Sequence, residues 1–287
     1  MRATSTDVLL LVDKPAGLSS HDVVALARRA LGTRKVGHGG TLDPFATGLL
    51  VLLAGRGTRL LQFVPSEPKV YEATIAFGTE TDTDDGTGVV VREAPLPSAL
   101  DVLGAIPALT GELDQLPPAY SAKHVGGERA YAVARRGERP ALVTSRVHVG
   151  EWNVLEQTPG SLRARITCGT GTYIRSLARD LGRATGSAAH LAALRRVQVG
   201  PFDVRDANGI EALRSGEITV RELHEALGDL PRQVLDDDAV RRVRQGLMIP
   251  ASVEGARAAL LDAHGDLVGV GARSGDSWHA DVVLATT

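Results

Sequence analysis

The chain has 287 residues, 43% apolar and 23% charged, with a formal net charge of −2. That length buries a sizeable core without disulfide or metal support, and that composition excludes disorder over most of the chain. The longest apolar run, residues 48–55, is far too short to span a bilayer. The opening MRATSTDVLLLVDKP lacks the long apolar centre and small-residue cleavage site of a signal peptide, so it reads as a first strand.

Residues 7–12 predict a short buried strand, turned by Lys14-Pro15-Ala16-Gly17. Ser19 with Asp22 three residues on predicts a helix start. The helix runs to about Leu31, with Val23, Val24, Leu26 and Ala27 inward and Gly32 as its stop. A glycine-rich loop, Gly37-His38-Gly39-Gly40, leads through Thr41-Leu42-Asp43-Pro44 into the apolar run LLVLLAG. Residues 69–77 alternate as a half-exposed strand, and TETDTDDGTG after them reads as a polar turn. Residues 98–109 suggest a helix, and Pro117-Pro118 breaks the chain before a basic helical stretch, ERAYAVARRG. Residues 145–157 and 161–168 read as strands, 173–183 as a helix introduced by Gly169 and Gly171, and 191–199 as a strand. Two short helices are expected over 209–228 and 236–246. The tail, 258–287, alternates over short runs split by His-Gly-Asp and Ser-Gly-Asp, which suggests a small β module beginning near Asp229.

The neutral total hides clustering. Of 32 basic residues only four are lysine; residues 28–59 carry six against one acid, 120–146 six against two, and 161–200 seven arginines against Asp180. Residues 79–101 carry six acids against Arg92. Three basic segments in a neutral chain suggest one basic face and an anionic partner. Aromatics at 3% argue against a broad base-stacking platform. The single cysteine, Cys168, excludes an internal disulfide and a cysteine zinc cluster, fits a reducing cytoplasm, and reads as a small core hydrophobe.

The densest chemistry lies in residues 37–60. Glycines allow close backbone approach to a ligand, and Pro44 restricts Asp43 to an extended backbone. There is no Gly-Lys-Ser/Thr, and the glycine spacing is wrong for a dinucleotide loop. Taken alone, Asp43 reads as a turn-forming carboxylate as readily as a reactive one. In GTGTYIRSLARDLG, Tyr173 and Arg175 open a helix and Arg175 shares a face with Arg179, although a core tyrosine and a surface arginine are equally consistent. Asp82, Asp84 and Asp85 suggest calcium, but the glycine falls fifth where a calcium loop needs it sixth. The eight histidines show no metal-ligand spacing. No metal is expected.

Six segments in order resemble the bacterial tRNA pseudouridine-55 synthase family (TruB): LLVDKPAGLSSHDVV, GHGGTLDPFATGLL, KVYEATIAFGTETDTDDGTG, PPAYSA, GTYIRSLARDLG and LRRVQVGPF. Together they cover most of residues 9–202. Two departures stand out: Lys123 directly follows Ala122 in the fourth segment, and Thr58-Arg59 replaces the usual Thr-Lys.

The resemblance implies isomerisation of uridine to pseudouridine in the T loop of tRNA, with the base swung out of its stack. It implies Asp43 as nucleophile, Arg175 as its counter-ion and Tyr71 as the clamp on the flipped ring. Tyr173 and Leu194 would line the pocket, His38 would contact the RNA stack, and Lys14 with Pro15 match an N-terminal motif that is usually structural, with Lys14 placed on the substrate side. Residues 117–146, with Arg135 and Arg136, would grip the T arm. Breaking N1–C1′ and forming C5–C1′ is redox-neutral, so no cofactor is expected, and no protein partner beyond a monomer is needed. The fold implied is mixed α/β (α+β). It has a central, largely antiparallel sheet flanked by helices over residues 1–228, and a PUA-like β domain over 229–287. Two rivals remain: a tRNA-binding factor without catalysis, and a guide-dependent synthase acting on other RNA.

Overall fold

The computed structural model describes residues 6–121, 124–125, 128–129 and 142–284. The chain forms two compact units. The first gathers residues 1–43, 49–66 and 200–287; the second holds 44–48 and 67–199.

In the first unit, β1 (Leu9–Lys14) leads to α1 (Ser20–Ala30), then β2 (Val36–His38) and β3 (Thr47–Ala54). The expected capping box is present: Asp22 N–H donates to Ser19 Oγ at 3.1 Å, and Ser19 N–H donates to Asp22 Oδ2 at 2.8 Å. The pair satisfies two otherwise orphaned N–H groups at the helix start. It also holds the Asp22 carboxyl below its usual range, chiefly through the Ser19 hydroxyl. One face of α1 buries Val23, Val24 and Ala27 against Leu10, Val12, Leu50 and Leu52 of β1 and β3. At about 1.5–3 kcal/mol for each large side chain removed from water, this face fixes the helix on the strands. The apolar run after Ala46 is β3, buried along nearly its whole length. β2 pairs with it antiparallel, His38 opposite Leu52.

In the second unit, β4 (Lys69–Phe77) lies between β11 (Ser161–Cys168) and β12 (Ala189–Val199), antiparallel to both. The sheet continues through β10 (Ser145–Thr158) to β7 (Gly111–Gln115). The period-two pattern of residues 69–77 predicts β4 to the residue. On β12, Arg195 and Arg196 pair in parallel with Thr47 and Gly48, the first two residues of β3. β3 therefore begins in the second unit and continues into the first. Gly48 is required there: its φ is +105°, and a Cβ would stand 2.2 Å from the Arg196 carbonyl oxygen. Between β4 and β7 lie the hairpin of β5 (Thr79–Thr81) and β6 (Val90–Glu93) and the short α2 (Ala99–Ala105). β8 (His124–Val125) pairs with β9 (Glu128–Arg129), so the expected helix over 128–137 does not begin at its first residues. Its remainder lies outside the described residues. After β11 comes α3 (Ile174–Ala184), with Tyr173 at its N-cap position but making no side-chain capping bond.

Residues 200–284 return to the first unit. The helix expected over 209–228 is broken. α4 (Ile210–Ser215) stops at Gly216, whose φ is +83°, and Arg221 then bridges Leu9 of β1 before a 3₁₀ turn at Leu223–Leu227. A separate five-stranded sheet follows. Its strands, after the two-residue β13 (Phe202–Asp203), are β14 (Arg232–Val234), β15 (Ile249–Pro250), β16 (Arg257–Leu261), β17 (Leu267–Ser274) and β18 (Ser277–Val283). α5 (Asp237–Arg244) packs Val240 and Val243 against Trp278 and Leu260 of this sheet. The sheet falls within the stretch expected as a C-terminal module, yet it shares one compact unit with the N-terminal segment. No helix among the described residues is long and apolar enough to cross a membrane.

Candidate active site

The loop after β2 carries His38 and Asp43. Gly39 N–H donates to the Val51 carbonyl, which closes β2 against β3. His38 is half-buried, with its ring edge-on to His21 at 6.1 Å between centroids. Leu42 is buried, and its main chain is held at both polar atoms by the Ser20 hydroxyl. Asp43 follows, half-buried, with Pro44 behind it.

Lys14 is fully buried, and its Nζ donates to the carbonyls of Pro15 (3.0 Å) and Leu18 (2.7 Å). Burying an ammonium requires such partners. Lys14 therefore clamps the turn into α1, the structural role usual for that motif.

In the second unit, α3 brings two of the expected residues to one end. Gln115 of β7 brackets the Tyr173 main chain: Tyr173 N–H donates to its Oε1 at 2.8 Å, and its Nε2 donates to the Tyr173 carbonyl at 3.1 Å. Arg175 is 5% exposed. It donates to the carbonyls of Thr83 at 3.0 Å and Tyr120 at 2.9 Å, and lies 3.4 Å from Asp85 Oδ2. One turn on, Arg179 donates to Asp84 at 2.7 Å and to the Leu116 carbonyl at 2.8 Å. A further turn on, Arg183 pairs with Glu80. Three arginines at i, i+4 and i+8 thus meet three acids from the stretch read above as a polar turn.

The turn is present, and within it and the strand before it Glu80, Asp84 and Asp85 are buried. Asp84 adopts φ +60°, and burial pushes its carboxyl up to about 6 despite Arg179. For Glu80 burial also opposes ionisation, but Arg183 outweighs it and the carboxyl stays below its usual range. Asp85 Oδ1 accepts from the Thr83 hydroxyl and Thr87 N–H, both at 2.9 Å. Asp85, weighed above only for calcium, is the partner of Arg175 that sequence reasoning missed. Its signal was the basic stripe on α3, whose arginines outnumber the acids of their own helix.

Tyr71 lies on β4 opposite Ile166 and Arg196 and is buried. Leu194 faces Ala73, two residues along β4 from Tyr71, so the two share one face of the sheet. The Leu194 carbonyl accepts from the Thr47 hydroxyl at 3.4 Å. Cys168 is buried and its thiol is pushed up to about 11 by burial, so it is a core residue, not a nucleophile. Arg135 and Arg136 lie outside the described residues.

The second unit is thus built on a mixed sheet, with the arginines of α3 held in pairs with buried acids. Solved structures share the fold. One is an H/ACA ribonucleoprotein bound to a substrate RNA containing 2′-deoxyuridine (TM-score 0.72, 22% identity, 98% of this chain and 86% of that chain). Another is a Cbf5–Nop10–Gar1 complex (TM-score 0.71, 24% identity, 98% and 85%). The model of the TruB family pseudouridylate synthase N-terminal domain matches residues 28–174, and that of the tRNA pseudouridylate synthase B C-terminal domain matches 175–237. Proteins named tRNA pseudouridine synthase B are similar over nearly the whole chain. That of Gloeobacter violaceus is 43% identical, covering 96% of this chain and 98% of its own. That of Thermobifida fusca is 44% identical, covering 97% and 99%. The chain belongs to the TruB pseudouridine synthase family and is an isomerase.

Proposed function

We propose that the chain converts uridine 55 in the T loop of tRNA to pseudouridine, without a guide RNA, and that Asp43 is the nucleophile. The observation that carries this reading is the GHGGTLDP loop: a carboxylate gripped through the residue before it and followed by proline, in a chain over 40% identical to proteins named tRNA pseudouridine synthase B.

The reaction balances internally. N1–C1′ breaks, C5–C1′ forms, the C5 proton leaves and N1 ends protonated. Attack on the ribose and elimination to a glycal both begin from an ionised carboxylate. In this reading, which follows the family resemblance, Arg175 serves as counter-ion, Tyr71 clamps the extruded ring, and Leu194 and Tyr173 line the pocket that receives it. His38 contacts the stack the base has left. The basic insertion at 117–146 binds the T arm by its phosphates and shape.

Asp43→Ala tests the reading. With purified protein and unmodified T-arm RNA alone, the variant forms no pseudouridine while binding RNA near the wild-type level. Surviving product would remove the nucleophile, and a requirement for a guide RNA would refute the substrate. Neutralising Arg135, Arg136 and Arg139 weakens binding and flattens its salt dependence, the slope falling by about one unit for each phosphate no longer neutralised. An unchanged slope would place the RNA elsewhere.

A further inference from the structure

We infer that Ser20 is a positioning residue for Asp43: its hydroxyl fixes the peptide units that aim the carboxylate. The inference rests on the reading of Asp43 as nucleophile. Two serines stand side by side at the start of α1 and do different work. Ser19 caps the helix. Ser20, its first residue, is 2% exposed and turns its hydroxyl away from the helix, to a residue 22 positions later. Leu42 N–H donates to Ser20 Oγ at 2.9 Å, and Ser20 Oγ donates to the Leu42 carbonyl at 3.1 Å. One hydroxyl has one proton to give and lone pairs to receive, so both bonds form at once.

The double contact fixes both peptide planes around Leu42. The second of those planes is the one that carries Asp43 N–H. On the other side, Pro44 confines the Asp43 backbone to the extended region. The nucleophile is thereby set between a clamped residue and a ring-locked one. The clamp is anchored on a helix whose apolar face is seated on β1 and β3. Loops carrying reactive groups need such support, since a displacement of about 1 Å can cost about a hundredfold in rate. Without the hydroxyl, Leu42 would bury a donor and an acceptor with no partner at that point.

The test is single-turnover conversion of unmodified T-arm RNA with enzyme in saturating excess. RNA affinity and unfolding temperature are measured on the same samples. The proteins are wild type, Ser20→Ala, Ser20→Cys, Val24→Ala and Asp43→Ala. Ser20→Cys keeps the volume and nearly all of the shape while weakening both bonds. Val24→Ala loosens α1 without touching Leu42. The expected result is a rate lower by on the order of tenfold to a hundredfold for both Ser20 variants. RNA affinity stays within about twofold, and Val24→Ala keeps the wild-type rate at a comparable loss of unfolding temperature. A wild-type rate in Ser20→Cys, or an equal slowing in Val24→Ala, would overturn the inference. Should Ser20→Ala fail to fold, Ser20→Cys decides. Asp43→Ala separates the two levels. If it is inactive while the Ser20 variants turn over normally, only the positioning role falls; if it is active, the reading beneath it falls as well.

Discussion

The side chain of Arg175 and the backbone around Asp43, residues proposed for one reaction, show two kinds of support. Arg175 is gripped by its side chain, through two carbonyls and a buried carboxylate. Asp43 is set by the main chain on either side of it, through Leu42 and Pro44. The difference follows from chemistry. A buried guanidinium has five donors to satisfy and costs several kcal/mol if left alone, so the fold must surround it. For a carboxylate proposed as nucleophile, a fixed backbone on either side sets the aim.

If that contrast is right, removing Arg175 harms the fold as well as the reaction. Arg175→Ala leaves Asp85 buried without its cation, and we expect a loss of about 3–5 kcal/mol in urea unfolding. A loss below about 1 kcal/mol would show that the fold does not depend on the grip.

The neighbouring pair gives the next effect. Asp84 titrates at about 6 in the folded chain against an ordinary 3.8. The folded value is the higher, so between about pH 4 and 6 the folded chain holds a proton the unfolded chain has released. This group's contribution to stability therefore falls as pH rises through that window and is level above it. Asp84→Asn abolishes the slope. From pH 4.5 to 7 the wild type should lose about 2 kcal/mol relative to the variant, read from urea unfolding at the two pH values. Parallel curves would contradict the buried, proton-holding carboxyl.

Asp43→Ala should have the smallest effect on the fold, a change under about 1 kcal/mol in the same assay, with turnover abolished. A large destabilisation would erase the contrast with Arg175.

Local signals made much of this legible. The capping box at Ser19 and Asp22, the alternation of residues 69–77 and the glycines before Tyr173 specify α1, β4 and α3 within their own segments. Asp43, Arg175, Tyr71 and Leu194 were marked by motif. The burial of Asp84 and Asp85 was not legible, because a run such as TETDTDDGTG is indistinguishable from a solvated turn until its cations arrive. Arg179 lies 95 residues beyond Asp84. That Lys14 turns its ammonium inward is likewise visible only in the fold. The break at Gly216 escaped the reading of 209–228 because Arg221 takes its backbone partner from Leu9, at the far end of the chain.

That last pairing has a bearing on biosynthesis. Leu9 exchanges backbone hydrogen bonds with Arg221, and Asp13 donates to the carbonyl of Asn208. The opening strand thus cannot complete its edge until some two hundred further residues have left the ribosome, whereas residues 67–199 of the second unit are contiguous and available together. Vectorial translation favours the second unit as the earlier to mature, with the amino terminus stitched in near the end.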